Sequence, residues 1–257
     1  MDPVLFEKKG VKAYITFNRP EAMNSMTPEG FQLLVEYFKE AQADDNIRVI
    51  ILTGAGDKAF CSGADLKKTI PLISDGQLDF ELLNDAVLKN VPIWKPIIAA
   101  VNGYCLAGGT EILQATDIRI ASEDAIFGLP EPKWSIMAAA GSLVRLARQI
   151  PYCQAMEILL TGEQLTAEKA EKIGLINKVV PKEELMNEVE RYADIICQNG
   201  PLAIQNTKKA VIELLNLPME EAFQKEISYA KAVFESSDAK EGVAAFAEKR
   251  EPQFRRS

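Results

Sequence analysis

The sequence of 257 residues contains no histidine. This absence excludes Ser-His-Asp and Cys-His nucleophilic systems, histidine-ligated metals and imidazole general bases. Acid-base chemistry near neutral pH must therefore use carboxylates, lysine, tyrosine, cysteine or water.

Several other features are also missing. The four cysteines form no C-x-x-C pair, so we expect no zinc ribbon or dithiol motif and predict reduced, mostly buried thiols. No apolar run has membrane-spanning length and no leader precedes the first strand, which predicts a cytoplasmic protein without membrane insertion. With 29 basic against 37 acidic residues and no basic stripe, nucleic acid is not an expected partner.

The residues that are present predict an α/β fold with mainly parallel strands. Residues 11–18 alternate as a strand, and Thr27 and Pro28 then supply an N-cap and the first position of a helix. Residues 48–54 form an unbroken apolar run, typical of a strand buried on both faces. The same strand-then-helix order recurs through residue 180.

From Pro181 onward the pattern is that of amphipathic helices only. Asp238 and Glu241 have the spacing of a capping box, which predicts a helix start at that point. Residues 66–95 are polar and helical in places, and we interpret them as a candidate flap over a site.

Two glycine-containing turns are candidate sites for binding negative charge. Gly108 and Gly109 precede a helix that follows a buried strand, so the first backbone N–H groups of that helix have no intrahelical acceptor. Gly63 and Ala64 occupy a similar place after the strand at residues 48–54, where we expect another helix to begin. Two such amides could converge into an oxyanion hole. The alternative, which is commoner for glycines at turns, is that they only allow the chain to turn or two helices to pack closely.

Two glutamates are the best candidates for proton transfer. Glu111 lies in the first turn of the helix after the glycine pair, where the helix N-terminus favours its ionised form. Glu131 lies between two prolines at the end of a strand. Both have apolar neighbours in sequence, and buried carboxyls acquire shifted pKa values and can divide acid and base roles.

Around these residues the sequence resembles the crotonase, or enoyl-CoA hydratase/isomerase, superfamily. The resemblance spans nearly the whole chain and includes the segments AFCSGADLK, KPIIAAVNGYCLAGGTE and DIRIASEDAIFGLPE. It implies a spiral of ββα units over residues 1–195 and a helical trimerisation region over residues 196–257. It further implies a homotrimer or a hexamer of two trimers, and a coenzyme A thioester as substrate, with no separate cofactor or metal.

The resemblance also assigns roles to residues. It places the oxyanion hole on the backbone amides of Ala64 and Gly108, and the catalytic carboxyls on Glu111 and Glu131. It implies that a neighbouring subunit contributes Phe246 and Lys249. The implied coenzyme A contacts within the chain are Ala22, Met23, Asp65, Leu66 and Lys67.

The segment after Glu131 departs from the family pattern. Relatives continue with a Gly/Pro-rich run, whereas this chain has alanines at residues 138–140 and the bulky Trp134. The segment borders the acyl pocket in relatives, so Trp134 and Ala139 are candidate acyl-pocket residues. Ordinary core packing is the alternative for Trp134.

Three functions follow as hypotheses. The first is hydration of a trans-2-enoyl-CoA to a 3-hydroxyacyl-CoA, favoured because both glutamates are present. The second is Δ3-Δ2 enoyl-CoA isomerisation, which can proceed with a single carboxylate. The third is a non-catalytic trimeric scaffold or RNA-binding module, which the acidic charge balance disfavours.

Overall fold

The computed structural model describes residues 2–256 and has two mainly parallel sheets. The larger sheet has six strands in the order β1-β2-β3-β5-β7-β10, and the smaller has four in the order β4-β6-β8-β9. The strands are β1 Val4–Lys9, β2 Lys12–Phe17, β3 Val49–Gly54, β4 Ala59–Cys61, β5 Ile97–Val101, β6 Tyr104–Leu106, β7 Ile118–Ser122, β8 Ile126–Gly128, β9 Gln164–Thr166 and β10 Lys178–Val180.

Helices follow or separate these strands, and none of those within residues 2–256 is long and apolar enough to cross a membrane. Short 3₁₀ turns lie at Pro20–Ala22, Glu131–Trp134 and Lys182–Glu184. The α-helices are α1 Pro28–Ala43, α2 Ile70–Ser74, α3 Phe80–Ala86, α4 Gly108–Leu113, α5 Ser142–Gln149, α6 Tyr152–Thr161, α7 Ala167–Lys172, α8 Leu185–Gln198, α9 Pro201–Leu214, α10 Met219–Phe234 and α11 Ser237–Glu248.

From β3 to β8, successive strands alternate between the two sheets. β3, β5 and β7 are parallel neighbours in the larger sheet, whereas β4, β6 and β8 are parallel neighbours in the smaller one. Each pair is followed by helical structure, which makes a repeated ββα unit and confirms the predicted α/β spiral. The repeat brings the ends of β4, β6 and β8 side by side, and the turns that leave them lie together.

The central strands of the larger sheet are buried on both faces, as the apolar run of β3 predicts. Ile50 and Leu52 pack into one core with α1, whereas Val49 and Ile51 pack into a second core with α8. The predicted helix start is confirmed, because the Thr27 side chain accepts a hydrogen bond from the Gly30 N–H at 3.1 Å.

After β10 every element of the described chain is a helix, as expected. The predicted division between residues 195 and 196 falls within α8, whose residues Leu185, Val189 and Ala193 cover the sheet. The two-region division therefore stays a prediction. Helices α9 to α11 carry many exposed apolar side chains: Val211, Ile212, Leu215, Met219, Phe223, Ile227, Phe234, Val243 and Phe246.

The predicted capping box in α11 is wrong. The helix begins two residues earlier, and the Ser236 side chain caps it by accepting the Ala239 N–H at 3.0 Å. The Asp238 carboxylate instead accepts the backbone N–H groups of Arg255 and Arg256, at 2.7 Å and 2.8 Å. The other expected member, Glu241, pairs with Arg250.

The thiols agree only in part with expectation. All four cysteines are unpaired, and Cys61 and Cys105 are buried, but Cys153 is exposed and Cys197 is half-buried. Burial raises the pKa of the Cys61 thiol to about 12, so this thiol is not a nucleophile near neutral pH.

Candidate active site

The glycine pair at the start of α4 has two separate structural functions. A Cβ on Gly109 would lie 2.0 Å from the Cys61 carbonyl oxygen, so only glycine lets α4 pack this closely on the end of β4. Gly108 has no such clash, because the nearest atom to a Cβ built there would be 3.5 Å away. Gly108 is the first helical residue, and no hydrogen-bond partner within residues 2–256 accepts its N–H.

Ala107 sets the direction of the Gly108 amide, and sequence reasoning missed it. Its backbone has φ 50° and ψ −127°, a combination that side-chain-bearing residues rarely adopt. The conformation is held on both sides, because the Ala107 N–H donates to the Gly128 carbonyl and its own carbonyl accepts the Glu111 N–H. No sequence signal marks an alanine for this geometry.

The second turn is not the helix start that the sequence predicts. Ala64 forms an isolated parallel bridge with Met26, in which the Met26 N–H donates to the Gly63 carbonyl and the Asp65 N–H donates to the Met26 carbonyl. Residues 65–69 then make turns, and α2 begins only at Ile70. In such a bridge the N–H of the central residue points away from its partner strand, and the Ala64 N–H has no acceptor in the described chain.

The two unpaired amides lie close together, and their use as one oxyanion hole stays a prediction. A Cβ on Gly63 would lie 3.0 Å from the Gly108 nitrogen, and one on Gly108 would lie 3.7 Å from the Ala64 nitrogen. Gly63 itself has φ +97°, a left-handed conformation that favours glycine. Two main-chain donors this close form the kind of pair that stabilises a single oxyanion.

The predicted coenzyme A contacts lie on two neighbouring loops. The Ser62 N–H donates to the Met23 carbonyl at 3.1 Å, which puts the turn containing Ala22 and Met23 beside the Ala64 loop. Arg19 joins the two loops by donating to the Asp65 carboxylate at 2.9 Å. The remaining members, Leu66 and Lys67, are exposed.

The Asp65 carboxylate connects these two loops through hydrogen bonds. Burial alone would raise the pKa of its carboxyl, but Arg19 and the backbone N–H groups of Lys67 and Lys68 hold that pKa below its usual value. Asp65 is therefore a carboxylate near neutral pH, fully engaged in holding the turn.

Glu111 is 4% exposed and lies in the first turn of α4. Its Oε1 accepts the backbone N–H of Ser142 at 3.2 Å. Burial raises the pKa of Glu111, opposed by that N–H and by the positive charge of Lys89. The pKa of Glu111 therefore lies above its ordinary value despite its place in the first turn of α4.

Glu131 is 7% exposed and begins the 3₁₀ turn after β8. Burial raises its pKa to about 7, and the charge of Glu111 acts in the same direction. Its Oε2 is fully buried, and no described residue hydrogen bonds to it. A buried carboxyl oxygen without a partner is unusual in a folded protein and is typical of a group that meets a substrate or water.

The two glutamates lie within electrostatic reach of each other, because the charge of Glu111 raises the pKa of Glu131. Both carboxyls belong to turns that leave the smaller sheet, Glu111 after β6 and Glu131 after β8. Thr110 ties these turns together by donating to the Cys105 carbonyl and the Gly128 carbonyl, at 2.5 Å and 3.0 Å.

The segment after Glu131 is exposed rather than packed in the core. Trp134 is 68% exposed, which excludes the core-packing alternative for the isolated chain. Ala139 is also exposed, and its carbonyl accepts the Lys89 ammonium at 2.7 Å. Arg145 connects the same region to the end of α3 by donating to the carbonyls of Val87 and Leu88.

The residues expected to serve a neighbouring subunit are Phe246 and Lys249. They lie at the C-terminal end of α11, where Phe246 is 88% exposed and Lys249 caps the helix with a left-handed backbone. Their positions agree with use by another subunit, which stays a prediction.

Comparisons with known proteins define the class of the fold. Enoyl-CoA hydratase from Bacillus anthracis superposes with a TM-score of 0.94 at 32% identity, covering 99% of this chain and 100% of that one. Enoyl-CoA hydratase EchA1 from Mycobacterium marinum gives a TM-score of 0.91 at 37% identity and covers 100% of both chains. The chain therefore has the crotonase fold.

Sequence comparisons define the family within that class. The family profile described as enoyl-CoA hydratase/isomerase matches residues 7–257, so the chain belongs to this family. Enoyl-CoA hydratase EchA19 of Mycobacterium tuberculosis is 45% identical over 255 residues, covering 97% of this chain and 95% of the relative. (E)-Benzylidenesuccinyl-CoA hydratase of Thauera aromatica is 41% identical over 253 residues, covering 98% and 99%.

Proposed function

We propose that this protein is an enoyl-CoA hydratase, which adds water across the 2,3 double bond of a trans-2-enoyl-CoA to give a 3-hydroxyacyl-CoA. The observation that carries the proposal is the combination of two unpaired, converging amides with two buried carboxyls on neighbouring turns. Relatives that share 35% to 45% of the sequence over nearly the whole chain carry hydratase names.

The amides of Ala64 and Gly108 bind the thioester carbonyl oxygen. Addition of oxygen at C3 moves the electron pair of the double bond toward that carbonyl, so negative charge grows on the oxygen as the reaction proceeds. Neither amide has an acceptor in the described chain, so binding the oxygen breaks no hydrogen bond within the protein. Loss of one such donor typically slows turnover about 100-fold to 1000-fold.

The two glutamates divide the proton transfers. Glu111 accepts a proton from the attacking water, whose oxygen bonds to C3, and Glu131 donates a proton to C2 of the resulting enolate. The balance is one water added across the double bond, and the two roles reverse in dehydration. A pKa of about 7 for Glu131 suits a group that must hold a proton and then release it near neutral pH.

Coenzyme A binds along the loop that carries the oxyanion hole. Ala22 and Met23 contribute backbone contacts, and Asp65 keeps this loop in place through Arg19. Leu66 and Lys67 are exposed beside it, where Lys67 offers a positive charge to a phosphate. Trp134 and Ala139 border the acyl group on the opposite side.

The chain assembles as a trimer or as two stacked trimers. The exposed apolar residues of α9 to α11 support this proposal, because isolated soluble chains rarely leave so many large apolar side chains in water. In the assembly, Phe246 and Lys249 of one subunit complete the coenzyme A site of its neighbour.

The reaction proceeds without a metal or a redox cofactor. The support is chemical: hydration changes no oxidation state overall, and the donors and carboxyls above supply every proton transfer. Dialysis against a chelator leaves the rate unchanged if this is correct. A cytoplasmic location also stays a prediction.

The deciding experiment offers crotonyl-CoA and a 3-enoyl-CoA to the purified protein. We expect loss of the conjugated absorbance of crotonyl-CoA with formation of 3-hydroxybutyryl-CoA, and a large loss of turnover with nearly unchanged binding in E111Q and in E131Q. Conversion of the 3-enoyl thioester to a 2-enoyl product without hydration would assign an isomerase instead. An inactive protein that retains labelled RNA on filters at physiological salt would favour the scaffold class.

A further inference from the structure

The contact between Ser142 and Glu111 distinguishes the two glutamates. The Ser142 N–H donates to Glu111 Oε1 at 3.2 Å, whereas no described residue hydrogen bonds to Glu131 Oε2. Hydrogen bonds donated to a carboxyl stabilise its ionised form. Glu111 receives the backbone N–H groups of Ser142 and Ala140, whereas among the described residues Glu131 receives only its own backbone N–H. The surroundings are therefore asymmetric in the direction that makes Glu111 the resting base.

The position of Ser142 is fixed by a residue on the same helix as Glu111. Gln114 follows α4 directly, and its Nε2 donates to the Ser142 Oγ at 2.7 Å and to the Thr110 carbonyl at 3.1 Å. Gln114 and Ser142 are both buried, at 2% and 0% exposed. The side chain thus joins α4 to the first residue of α5.

The direction of this hydrogen bond determines what the Ser142 hydroxyl can do. Because its oxygen accepts the Gln114 amide, its own proton is free to turn toward the Glu111 carboxyl, which lies near enough for the hydroxyl to favour the ionised form. Without Gln114 the hydroxyl could rotate away, and the Ser142 backbone could shift with it.

We propose that Gln114 and Ser142 are positioning residues that keep Glu111 ionised at rest, so that the proton shared by the two carboxyls stays on Glu131. This inference rests on the proposed hydratase function and assigns a direction to its proton transfers. Neither residue touches the substrate, and both act through Glu111.

Other charged groups face the same carboxyl and must be taken into account. Lys89, after α3, and Arg145, on α5, both place positive charge near Glu111, and Glu131 faces it from the 3₁₀ turn. These three groups remain in place when Gln114 or Ser142 is altered. A change in the ionisation of Glu111 in those variants would therefore come from the lost hydrogen bonds.

The test is the pH profile of kcat/KM for crotonyl-CoA hydration in S142A and Q114M. Both variants keep the Ser142 backbone N–H, but the first lacks the hydroxyl and the second lacks the amide that orients it. We expect the acidic limb of the profile to move upward by about one pH unit in each, because Glu111 then loses its proton less readily. S142T retains a hydroxyl, so its acidic limb should lie close to that of the unaltered protein.

Q149M is the matched control for Q114M. The Gln149 Nε2 donates to the Gln114 backbone carbonyl at 2.8 Å, so the substitution removes an amide from the same neighbourhood without touching Ser142. Its acidic limb should coincide with that of the unaltered protein. If Q114M does not fold, S142A against S142T decides the question alone.

Two results would overturn the positioning role: an acidic limb that does not move in S142A, or a loss of activity in S142A that is equal at every pH. Each of these results can be read only if the unaltered protein hydrates crotonyl-CoA. Failure of the unaltered protein to do so would instead contradict the proposed function, so the two failures are distinguishable.

Discussion

The α-carbon of Gly108 lies so close to the Ala64 amide that a β-carbon built on it would be 3.7 Å from the Ala64 nitrogen. This is an ordinary van der Waals distance, and Gly108 has no left-handed backbone that would forbid a side chain. The glycine at this position is therefore not required by packing. It keeps open the space beside two unpaired amides.

G108A should separate folding from catalysis. The added methyl group clashes with nothing, so the melting temperature should stay close to that of the unaltered protein, but it occupies space beside both donors. We expect kcat/KM for crotonyl-CoA to fall about 100-fold, the scale of one lost oxyanion donor. Steady-state kinetics with a thermal melt measure both quantities.

G109A is the contrasting variant, one residue along the chain. Its methyl group would lie 2.0 Å from the Cys61 carbonyl oxygen, so the helix or β4 must move. We expect a loss of about 2 kcal/mol in the free energy of unfolding.

A G108A protein with unchanged turnover would contradict the proposed oxyanion hole. It would show that the carbonyl oxygen of the substrate does not lie between the amides of Ala64 and Gly108.

The sequence predicted the parts of the site that depend on local patterns. The cap at Thr27, the strand at residues 49–54 and the helix start at Gly108 each follow from neighbouring residues. The two glycine turns suggested that their amides could converge, and the family resemblance then assigned the hole to Ala64 and Gly108. Local reasoning had expected a helix at Gly63, where a bridge to Met26 forms instead.

Contacts between distant residues account for what could not be predicted. Ser142 meets Glu111 only because the spiral brings α5 back to α4, and nothing in the local sequence of either residue signals it. In α11, Ser236 and Asp238 are both good N-cap residues. The choice between them is made by the amides of residues 255 and 256, which bind the Asp238 carboxylate.

The raised pKa of Glu131 should appear in the stability of the protein. A folded-state pKa of about 7, against an ordinary value of 4.5, means that the folded chain binds this proton more tightly than the unfolded chain. The stabilisation is fully present below pH 4.5 and is lost as the pH rises through 7, by about 3 kcal/mol in total. E131Q cannot ionise and should not show this loss.

The measurement is the free energy of unfolding in urea, at one protein concentration, for E131Q and the unaltered protein at pH 5 and pH 8. From pH 5 to pH 8, the free energy of unfolding of E131Q should rise relative to that of the unaltered protein. E123Q, at an exposed position, gives the comparison for a carboxyl at the surface. A difference between E131Q and the unaltered protein that is the same at both pH values would mean that Glu131 titrates alike in the folded and unfolded chains.

The cap of α11 offers a direct test of the corrected helix start. S236A removes the oxygen that accepts the Ala239 N–H, which should destabilise the protein by about 1 kcal/mol. For a chain of this size, that corresponds to a fall of about 2 °C to 4 °C in the melting temperature. S236T keeps a capping oxygen and should melt close to the unaltered protein, whereas equal melting of S236A and S236T would place the cap elsewhere.

The proposed contribution of Phe246 and Lys249 to a neighbouring site can be tested by mixing subunits. A chain carrying F246A and K249E has intact carboxyls but cannot complete the site of its neighbour. An E111Q chain lacks a catalytic carboxyl but keeps Phe246 and Lys249 for its neighbour. Each protein alone should be nearly inactive at low substrate concentration. If the residues act between subunits, a mixed assembly contains some sites with an intact Glu111 from one chain and an intact α11 end from the next.

Random assembly of equal amounts makes about a quarter of the sites complete, because each of two neighbouring positions must hold the right chain. We therefore expect co-expressed or co-refolded chains to recover about a quarter of the activity of the unaltered protein. If Phe246 and Lys249 served the site of their own chain, every site in the mixture would keep one defect and no activity would return. Recovery thus tests the subunit contact separately from the catalytic role of Glu111, since both arms use the same inactive chains.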